Sequence, residues 1–316
     1  MIHLRLIVPP DLLPAVLALL DRAPDVTNVW HLAGAASKPH GDLVSCDVAK
    51  EEGSSIVAEL RALGLEQRGS IAVESVDASI SDAAVRAELA APGSPADAIV
   101  WEEVEGRVEE SATLSASFLV LMTIATMIAA IGIITDSIVL IIGAMVVGPE
   151  YGPLAGICVA LVEGRPRLAA RSLRALAAGF PTAIVGSGLL TLVLIETGIA
   201  PETLSSLDRE LTLFISHPNW ASAIVAVLAG AVGMLALTGA KSGVLVGVLI
   251  SVTTIPAAAN VGVAAVYGTW SEAGGAAAQL AINVTAIVVT GLAVLSIARA
   301  AQRRRRRDRV RGGAGQ

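Results

Sequence analysis

Residues 137–162 read SIVLIIGAMVVGPEYGPLAGICVALV, and this stretch decides the class of fold. It is longer than the roughly 20 apolar residues that a helix needs to cross a bilayer. In its middle, GPEYGP from Gly148 to Pro153 puts two glycines and two prolines within six residues, which interrupts a regular helix. At membrane depth such a break is tolerated only against protein or a water-filled cavity. The stretch predicts a broken membrane span with Glu150 inside the break.

The composition of the whole chain also indicates a membrane protein. Of 316 residues, 54% are hydrophobic and 16% are charged, with a mean hydropathy of +0.71. Soluble domains carry about 25% charged residues, so the composition excludes a disordered chain, a collagen and a small disulfide scaffold. Cys46 and Cys158 follow no disulfide or zinc spacing. Six stretches are apolar and long enough to span a bilayer: residues 114–135, 137–162, 175–195, 220–240, 243–266 and 276–298.

Charge divides the chain into an acidic part, an apolar block and a basic tail. The formal net charge is −11 over residues 1–110, −2 over residues 111–298 and +7 over residues 299–316. The acidic part would repel phosphate, so we expect no nucleic-acid partner. Arginine runs beside a membrane span are typical of a topology anchor that contacts the lipid surface. We assign that role to Arg303, Arg304, Arg305, Arg306 and Arg307.

The positions of arginine and lysine orient the six predicted spans. The basic tail is expected in the cytoplasm, and an even number of spans places the amino terminus there as well. The predicted inner loops agree, because they contain Arg165, Arg167, Arg171, Arg174 and Lys241. We therefore expect a protein of the inner (plasma) membrane, with the lipid bilayer as a partner and both termini in the cytoplasm.

The first 80 residues predict a small α+β domain. Apolar alternation favours strands over residues 2–8, 26–32, 42–48 and 70–77, and helical spacing favours helices over residues 11–22 and 51–64. Asp11 is the expected N-cap of the first helix. The β-α-β-β-α-β order is that of the ferredoxin-like fold. Domains of this fold dimerise, bind small effectors or do neither, so the fold alone assigns no function.

The chain thus divides into four predicted segments. A cytoplasmic ferredoxin-like domain covers residues 1–80, and a linker with a connecting amphipathic helix covers residues 81–112. A six-span α-helical transmembrane domain covers residues 113–298, and the basic cytoplasmic tail covers residues 299–316. The connecting helix has an acidic face, which we expect to pack on protein or to meet the arginine tail.

A second break lies in the fifth predicted span, which reads SVTTIPAAAN over residues 251–260. At about 1.5 Å per residue, its two threonines are level with Glu150 near the bilayer midplane, whereas Asn260 and Asn283 form a shallower second level. An intramembrane carboxylate is costly and marks a candidate functional site. We predict a substrate or ion site formed by Gly148, Pro149, Glu150, Tyr151, Pro153, Thr253, Thr254, Pro256, Asn260 and Asn283.

A structural role for these residues stays open. Proline kinks and interhelical asparagines also serve helix packing, and Glu150 could hydrogen-bond an unwound backbone. Against this, broken helices at corresponding places in two three-span halves are typical of transporters and indicate a candidate 3+3 inverted repeat. Residue similarity between the halves is weak. No hydrolase, metalloprotease or nucleotide-binding motif is present, so we expect no enzyme, no catalytic residue, no metal site and no cofactor.

The two breaks also carry a family resemblance. Residues 142–156 (IGAMVVGPEYGPLAG) resemble the core motif of a bacterial and archaeal family of hydrophobic membrane proteins, the domain-of-unknown-function 389 family. Residues 242–263 resemble its second block, and Asn283 with the glycine-rich entry to the last helix also matches. The resemblance covers residues 111–298 and departs at Thr254 to Pro256, where the family is richer in proline. It implies a fold, often with a cytoplasmic amino-terminal domain, and no established activity.

Two functions follow from the sequence. The first is a transporter or channel for a small solute or ion at Glu150, regulated or dimerised by the cytoplasmic domain within a homo-oligomer. Because the apolar core holds one acidic residue, a cation or a proton is favoured over an anion. The second is a non-transporting sensor or scaffold whose cytoplasmic domain binds an effector or partner. A water-lined cavity that reaches Glu150 would favour the first function.

Overall fold

The computed structural model describes residues 1–91, 93, 98–203, 212, 215, 220–239 and 253–313, with side chains through residue 304. The chain divides into an amino-terminal unit, Met1–Gly106, and a helical unit that begins at Arg107. The boundaries of the four segments stay predictions.

The amino-terminal unit is built on a four-stranded antiparallel sheet. Its strands are β1 (Ile2–Val8), β2 (Val26–Ser37), β3 (His40–Val48) and β4 (Ser70–Ser75), in the order β2-β3-β1-β4. Successive side chains of a strand point to opposite faces of the sheet. Ile2, Leu4, Leu6 and Val8 of the inner strand β1 are fully buried on one face and form the centre of the core.

Two helices cover the buried face of this sheet. Helix α1 (Leu13–Arg22) contributes Val16 and Leu20 to the core, and helix α2 (Lys50–Ala62) contributes Ile56 and Leu60. The N-cap prediction was wrong: α1 follows Leu12 without a side-chain cap. Asp11 instead accepts two hydrogen bonds of 2.8 Å from the Arg68 guanidinium, which lowers the pKa of Asp11.

Three further helices complete the unit or lead out of it. A short helix, α3 (Leu65–Arg68), and α4 (Asp82–Ala90) were not predicted. Helix α5 (Trp101–Ser111) is the connecting helix. Its Trp101 is buried, with the backbone N–H donating to Ser54 Oγ at 3.0 Å.

Polar side chains connect the strands on the opposite face of the sheet. His3 Nδ1 lies 2.7 Å from Asp47 Oδ1, and His3 Nε2 lies 2.7 Å from Ser45 Oγ. Asn28 Nδ2 donates to the second oxygen of Asp47, also at 2.7 Å. These bonds link β1, β2 and β3 through their side chains, so this face is ordered although it is polar.

The helical unit contains α6 (Ala116–Ile134), α7 (Ile138–Val147), α8 (Tyr151–Glu163), α9 (Pro166–Glu196), α10 (Trp220–Thr238), α11 (Thr254–Val266) and α12 (Trp270–Gly313). Four of them, α6, α9, α10 and α12, are long and apolar enough to cross a membrane. The bent pair α7–α8, with 47° between its parts, makes a fifth candidate span. The protein is therefore a helical membrane protein with four to five candidate spans in its described part. Residues 243–252 of the fifth predicted span lie outside the described residues.

The structure moves the starts of two long helices towards the amino terminus. Helix α9 begins at Pro166, whose fixed φ suits a first helical turn. The prediction that Arg167, Arg171 and Arg174 lie in a loop is therefore wrong, because all three are on the helix itself. Helix α12 begins at Trp270, six residues before the predicted start of the last span.

The short helix α11 lies at the centre of the helical unit. It packs against α6, α7, α9 and α12, and Ile255, Ala257, Ala259 and Val263 belong to the unit's hydrophobic core. Small residues permit this close approach. A Cβ added to Gly262 would lie 2.5 Å from the carbonyl oxygen of Ile184 and 2.9 Å from the amide nitrogen of Gly188.

Gly262→Ala should therefore destabilise the helical unit. The added methyl group meets backbone atoms of α9, which cannot rotate away, and overpacking of this kind costs about 1–3 kcal/mol. Gly143→Ala is the matched control, because an added Cβ at Gly143 has nothing within 4 Å. Thermal unfolding in detergent compares the two variants. Equal melting temperatures would contradict the close packing of α11 on α9.

Cys46 provides a test of the sheet register. It lies on β3 opposite Leu4 and is fully buried, and burial raises the pKa of its thiol to about 12. At pH 8 we expect iodoacetamide to modify Cys46 more than about a hundredfold more slowly in the folded protein than in denaturant, because the thiolate is the nucleophile. Mass spectrometry of tryptic peptides distinguishes Cys46 from Cys158. Rapid modification of Cys46 in the native protein would mean that this strand face is open.

Candidate functional site

Two short helices of the same length frame the candidate site, and each is termed a half-helix because it begins at a predicted break. Helices α8 and α11 have 13 residues each, with Pro153 and Pro256 as their respective third residues. A proline in the first turn removes no intrahelical hydrogen bond, because the first amides of a helix have no partner there. Each half-helix is followed by a glycine with positive φ, Gly164 at 67° and Gly268 at 73°, and then by a long helix.

The amino-terminal ends of these half-helices meet. Glu150 immediately precedes α8, and Thr254 is the first residue of α11. Thr254 Oγ1 donates a hydrogen bond of 2.6 Å to Glu150 Oε1, and both residues are buried, with 1% and 4% of their surface exposed. At the same place a Cβ on Gly148 would lie 2.6 Å from Ile255 Cγ1. The two sequence breaks are thus in direct contact.

A second polar group lies beside the first. Asn283 Nδ2 donates to Thr253 Oγ1 at 3.0 Å, and Gln279 Nε2 donates to Asn283 Oδ1 at 2.9 Å. Both amides are on α12, one turn apart, and both are buried. Because Thr253 and Thr254 are neighbours in the chain, the two polar groups join at the start of α11.

This arrangement corrects the predicted depth of Asn283. The sequence predicts that Asn283 lies level with Asn260, but Asn283 donates a hydrogen bond to Thr253 of the deeper level. The reason is the earlier start of α12: from Trp270 the helix reaches Asn283 after about 20 Å, not 10 Å. Gln279 was missed, although two amides four residues apart in an apolar helix were a visible signal.

Several buried oxygen atoms in this region have no hydrogen-bond partner within the part of the chain that the structure describes. They are Glu150 Oε2, Gln279 Oε1, Asn260 Oδ1 and the Tyr151 hydroxyl oxygen. A buried polar atom without a partner costs free energy, and a buried charged oxygen costs more. The oxygens of Gln279 and Asn260 can only accept hydrogen bonds or coordinate a cation. The same holds for Glu150 Oε2 once the carboxyl is ionised. The arrangement therefore suits a ligand that supplies positive charge or donors.

The remaining predicted residues are distributed around this centre. Pro149 stands in the break between α7 and α8, and Tyr151 approaches α10, where a Cβ on Gly233 would lie 2.9 Å from Tyr151 Cε2. Asn260 is buried within α11, and its Oδ1 has no hydrogen-bond partner among the described residues. Arg303 and Arg304 are exposed on α12, and the side chains of Arg305, Arg306 and Arg307 lie outside the described ones.

Comparison with known proteins confirms the family resemblance. Residues 145–289, which contain both breaks, match the model of a family described as "Domain of unknown function (DUF389)". Over 200 residues the chain is 27% identical to an uncharacterized protein of Methanocaldococcus jannaschii. That match covers 63% of this chain and 59% of the archaeal protein, so less than two thirds of the relative is represented. No solved structure matches the chain.

Thr254→Val should destabilise the helical unit, because it leaves the buried Glu150 carboxyl without its hydrogen-bond donor. Loss of such a bond to a buried group costs about 1–3 kcal/mol. Thr182→Val is the control, since the Thr182 hydroxyl is exposed and bonds only backbone carbonyls of its own helix. Thermal unfolding measures both, and a Thr254→Val variant as stable as the control would contradict the contact between the half-helices.

Proposed function

Because residues 145–289 match the model of the domain-of-unknown-function 389 family within a helical membrane protein, we propose that this protein is a transporter or channel for a small solute or ion. Its site lies at Glu150, where α8 and α11 begin. One observation carries the proposal: Glu150 is buried at a break in a candidate span, and its Oε2 has no partner among the described residues.

A purely structural carboxylate would be expected to use both oxygens. Glu150 uses one, for Thr254, although carboxylates inside membranes are costly and usually serve ion or proton pathways. The amino-terminal ends of α8 and α11 carry partial positive charge and stabilise a carboxylate between them. A carboxylate with one satisfied and one available oxygen supports a cation or a proton as the species that binds.

The proposal includes six spans arranged as a 3+3 inverted repeat. The equal lengths of α8 and α11, their prolines at the third position and the long helices that follow them support this arrangement. In transporters built from such repeats, the substrate site lies between two discontinuous helices near the midplane. The contact between Glu150 and Thr254 likewise lies between the starts of two short helices.

We also propose an orientation and a role for the amino-terminal domain. Arg299 on α12 donates a hydrogen bond to Glu163 at the end of α8. The arginines of α9 lie in the first turns of that helix, which begins three residues after Glu163, so basic residues are found at this end of α8, α9 and α12. That end is the cytoplasmic one in our proposal, with both termini there and the plasma membrane as the location. The strand order β2-β3-β1-β4 supports a ferredoxin-like domain that regulates or dimerises the transporter in a homo-oligomer. The proposal involves no enzyme activity and no nucleic acid.

A sensor or scaffold is the second candidate function, and one observation favours it. The amino-terminal unit has an open cavity of about 370 Å³ whose lining includes Arg61, Glu66, Ser70 and Glu102. Arg61 pairs with both glutamates, at 3.3 and 3.8 Å. Charged groups of both signs around one cavity could bind a small zwitterionic effector, in which case the spans would only anchor the protein.

Glu150→Gln should abolish transport while the protein stays folded. The purified full-length protein is reconstituted in proteoliposomes, and proton and sodium uptake are followed with pH- and sodium-sensitive dyes trapped inside. We expect uptake in the wild type and in Glu196→Gln, whose glutamate is exposed at the end of α9, and a loss of at least about tenfold in Glu150→Gln, since the carboxylate is the charged group of the site.

As a control, neither dye should change its fluorescence in protein-free liposomes. Wild-type uptake that persists in Glu150→Gln would remove Glu150 from the pathway. No uptake of either cation by the wild type would favour the sensor or scaffold.

A further inference from the structure

A second cavity, of about 410 Å³, lies in the helical unit away from Glu150. Within the described part of the chain, its lining consists of Glu109, Arg165, Pro166, Arg167, Leu168 and Arg171. Three of these six residues are arginines and one is a glutamate, so the cavity faces an excess of positive charge. We propose that this cavity is a binding site for a phosphate group.

The charges around the cavity are unequally matched. Arg165 Nη2 forms an ion pair of 2.7 Å with Glu109 Oε1, which fixes this guanidinium at the cavity wall. Within the described part of the chain, no carboxylate lies within ion-pair distance of Arg167 or Arg171. Both are exposed, and their four-residue separation puts them on one face of α9. Two unneutralised guanidinium groups therefore remain for a ligand.

The geometry favours phosphate over other anions. A guanidinium group presents planar pairs of N–H donors that match two phosphate oxygens at once, and several arginines together distribute a double negative charge. The cavity is also at the first turn of a 31-residue helix, whose amino-terminal end adds partial positive charge. Phosphate satisfies both features, whereas a single carboxylate would occupy one arginine.

The position in the chain limits where the phosphate comes from. Arg165 follows the apolar helix α8 after a one-residue turn at Gly164, and α9 continues as a candidate span. The cavity thus lies at the end of two apolar helices, at the level where phospholipid headgroups are found, and basic pockets at such ends bind anionic lipids. A soluble phosphate compound has the same chemistry, so the experiment separates the two sources.

Arg167→Gln and Arg171→Gln test the site, with Arg174→Gln as the matched control. Arg174 lies on the same helix, is equally exposed and does not line the cavity. The melting temperature of the full-length protein in neutral detergent is measured while dioleoylphosphatidylglycerol is added, with dioleoylphosphatidylcholine as the control lipid. A second titration adds sodium phosphate, with sodium chloride at equal ionic strength as its control. We expect the apparent Kd for the phosphatidylglycerol or for phosphate to weaken about tenfold in each cavity variant and less than about twofold in Arg174→Gln.

The arms distinguish the sources of the phosphate group. Stabilisation by phosphatidylglycerol alone identifies a lipid headgroup, and stabilisation by inorganic phosphate as well identifies a site open to soluble compounds. Two results would overturn the proposal: no stabilisation beyond that of phosphatidylcholine and chloride, or an equal loss of affinity in Arg174→Gln, which would indicate general attraction to positive charge.

Discussion

The hydrogen bond from Thr254 to Glu150 is the interaction on which the helical unit depends. It joins two helix starts that lie 104 residues apart in the chain, and it connects the interrupted second span to the buried helix α11. Neither break is favourable alone, because each leaves backbone amides and carbonyls without helical partners in an apolar setting. Facing each other, they bury one another, and the first residues of α11 occupy the space that Gly148 leaves open. The cost of each break is thus offset by the presence of the other.

Small residues make this central position of α11 possible. Its alanines and Gly262 let α9 approach to backbone contact, and Asn283 reaches Thr253 from α12 on another side. In a membrane, where apolar side chains gain little by leaving lipid, such close packing and interhelical hydrogen bonds are the main sources of association.

Much of this arrangement could be predicted from the sequence, because its signals are local. The alternation of β1 gave its bounds. Counting along the two broken spans at about 1.5 Å per residue placed Glu150 and Thr254 at one depth. The starts of helices were harder to predict, because residues 270–275 neither favour nor forbid a membrane helix. The predicted last span therefore began six residues late, and the depth counted from that start assigned Asn283 to the wrong level. The N-cap prediction for Asp11 was wrong because the carboxylate could bond either a helix amide or an arginine. Arg68, the residue that it does bond, is distant in sequence and near only in the fold.

The charge of the bound species in the proposed function follows from which atoms are already used. The amino-terminal ends of α8 and α11 both attract negative charge, and taken alone they would suit an anion. Once it is ionised, Glu150 is itself a negative group at that position, and it accepts a hydrogen bond from Thr254. An added anion would meet the Glu150 carboxylate in a region of low dielectric, where repulsion between like charges is strongest. Among the residues that the structure describes, Glu150 Oε2 and Gln279 Oε1 have no hydrogen-bond partner, and both atoms are acceptors when the carboxyl is ionised. In the proposed function, a cation or a proton would supply the partner that these acceptor atoms lack, whereas an anion would be repelled by the Glu150 carboxylate.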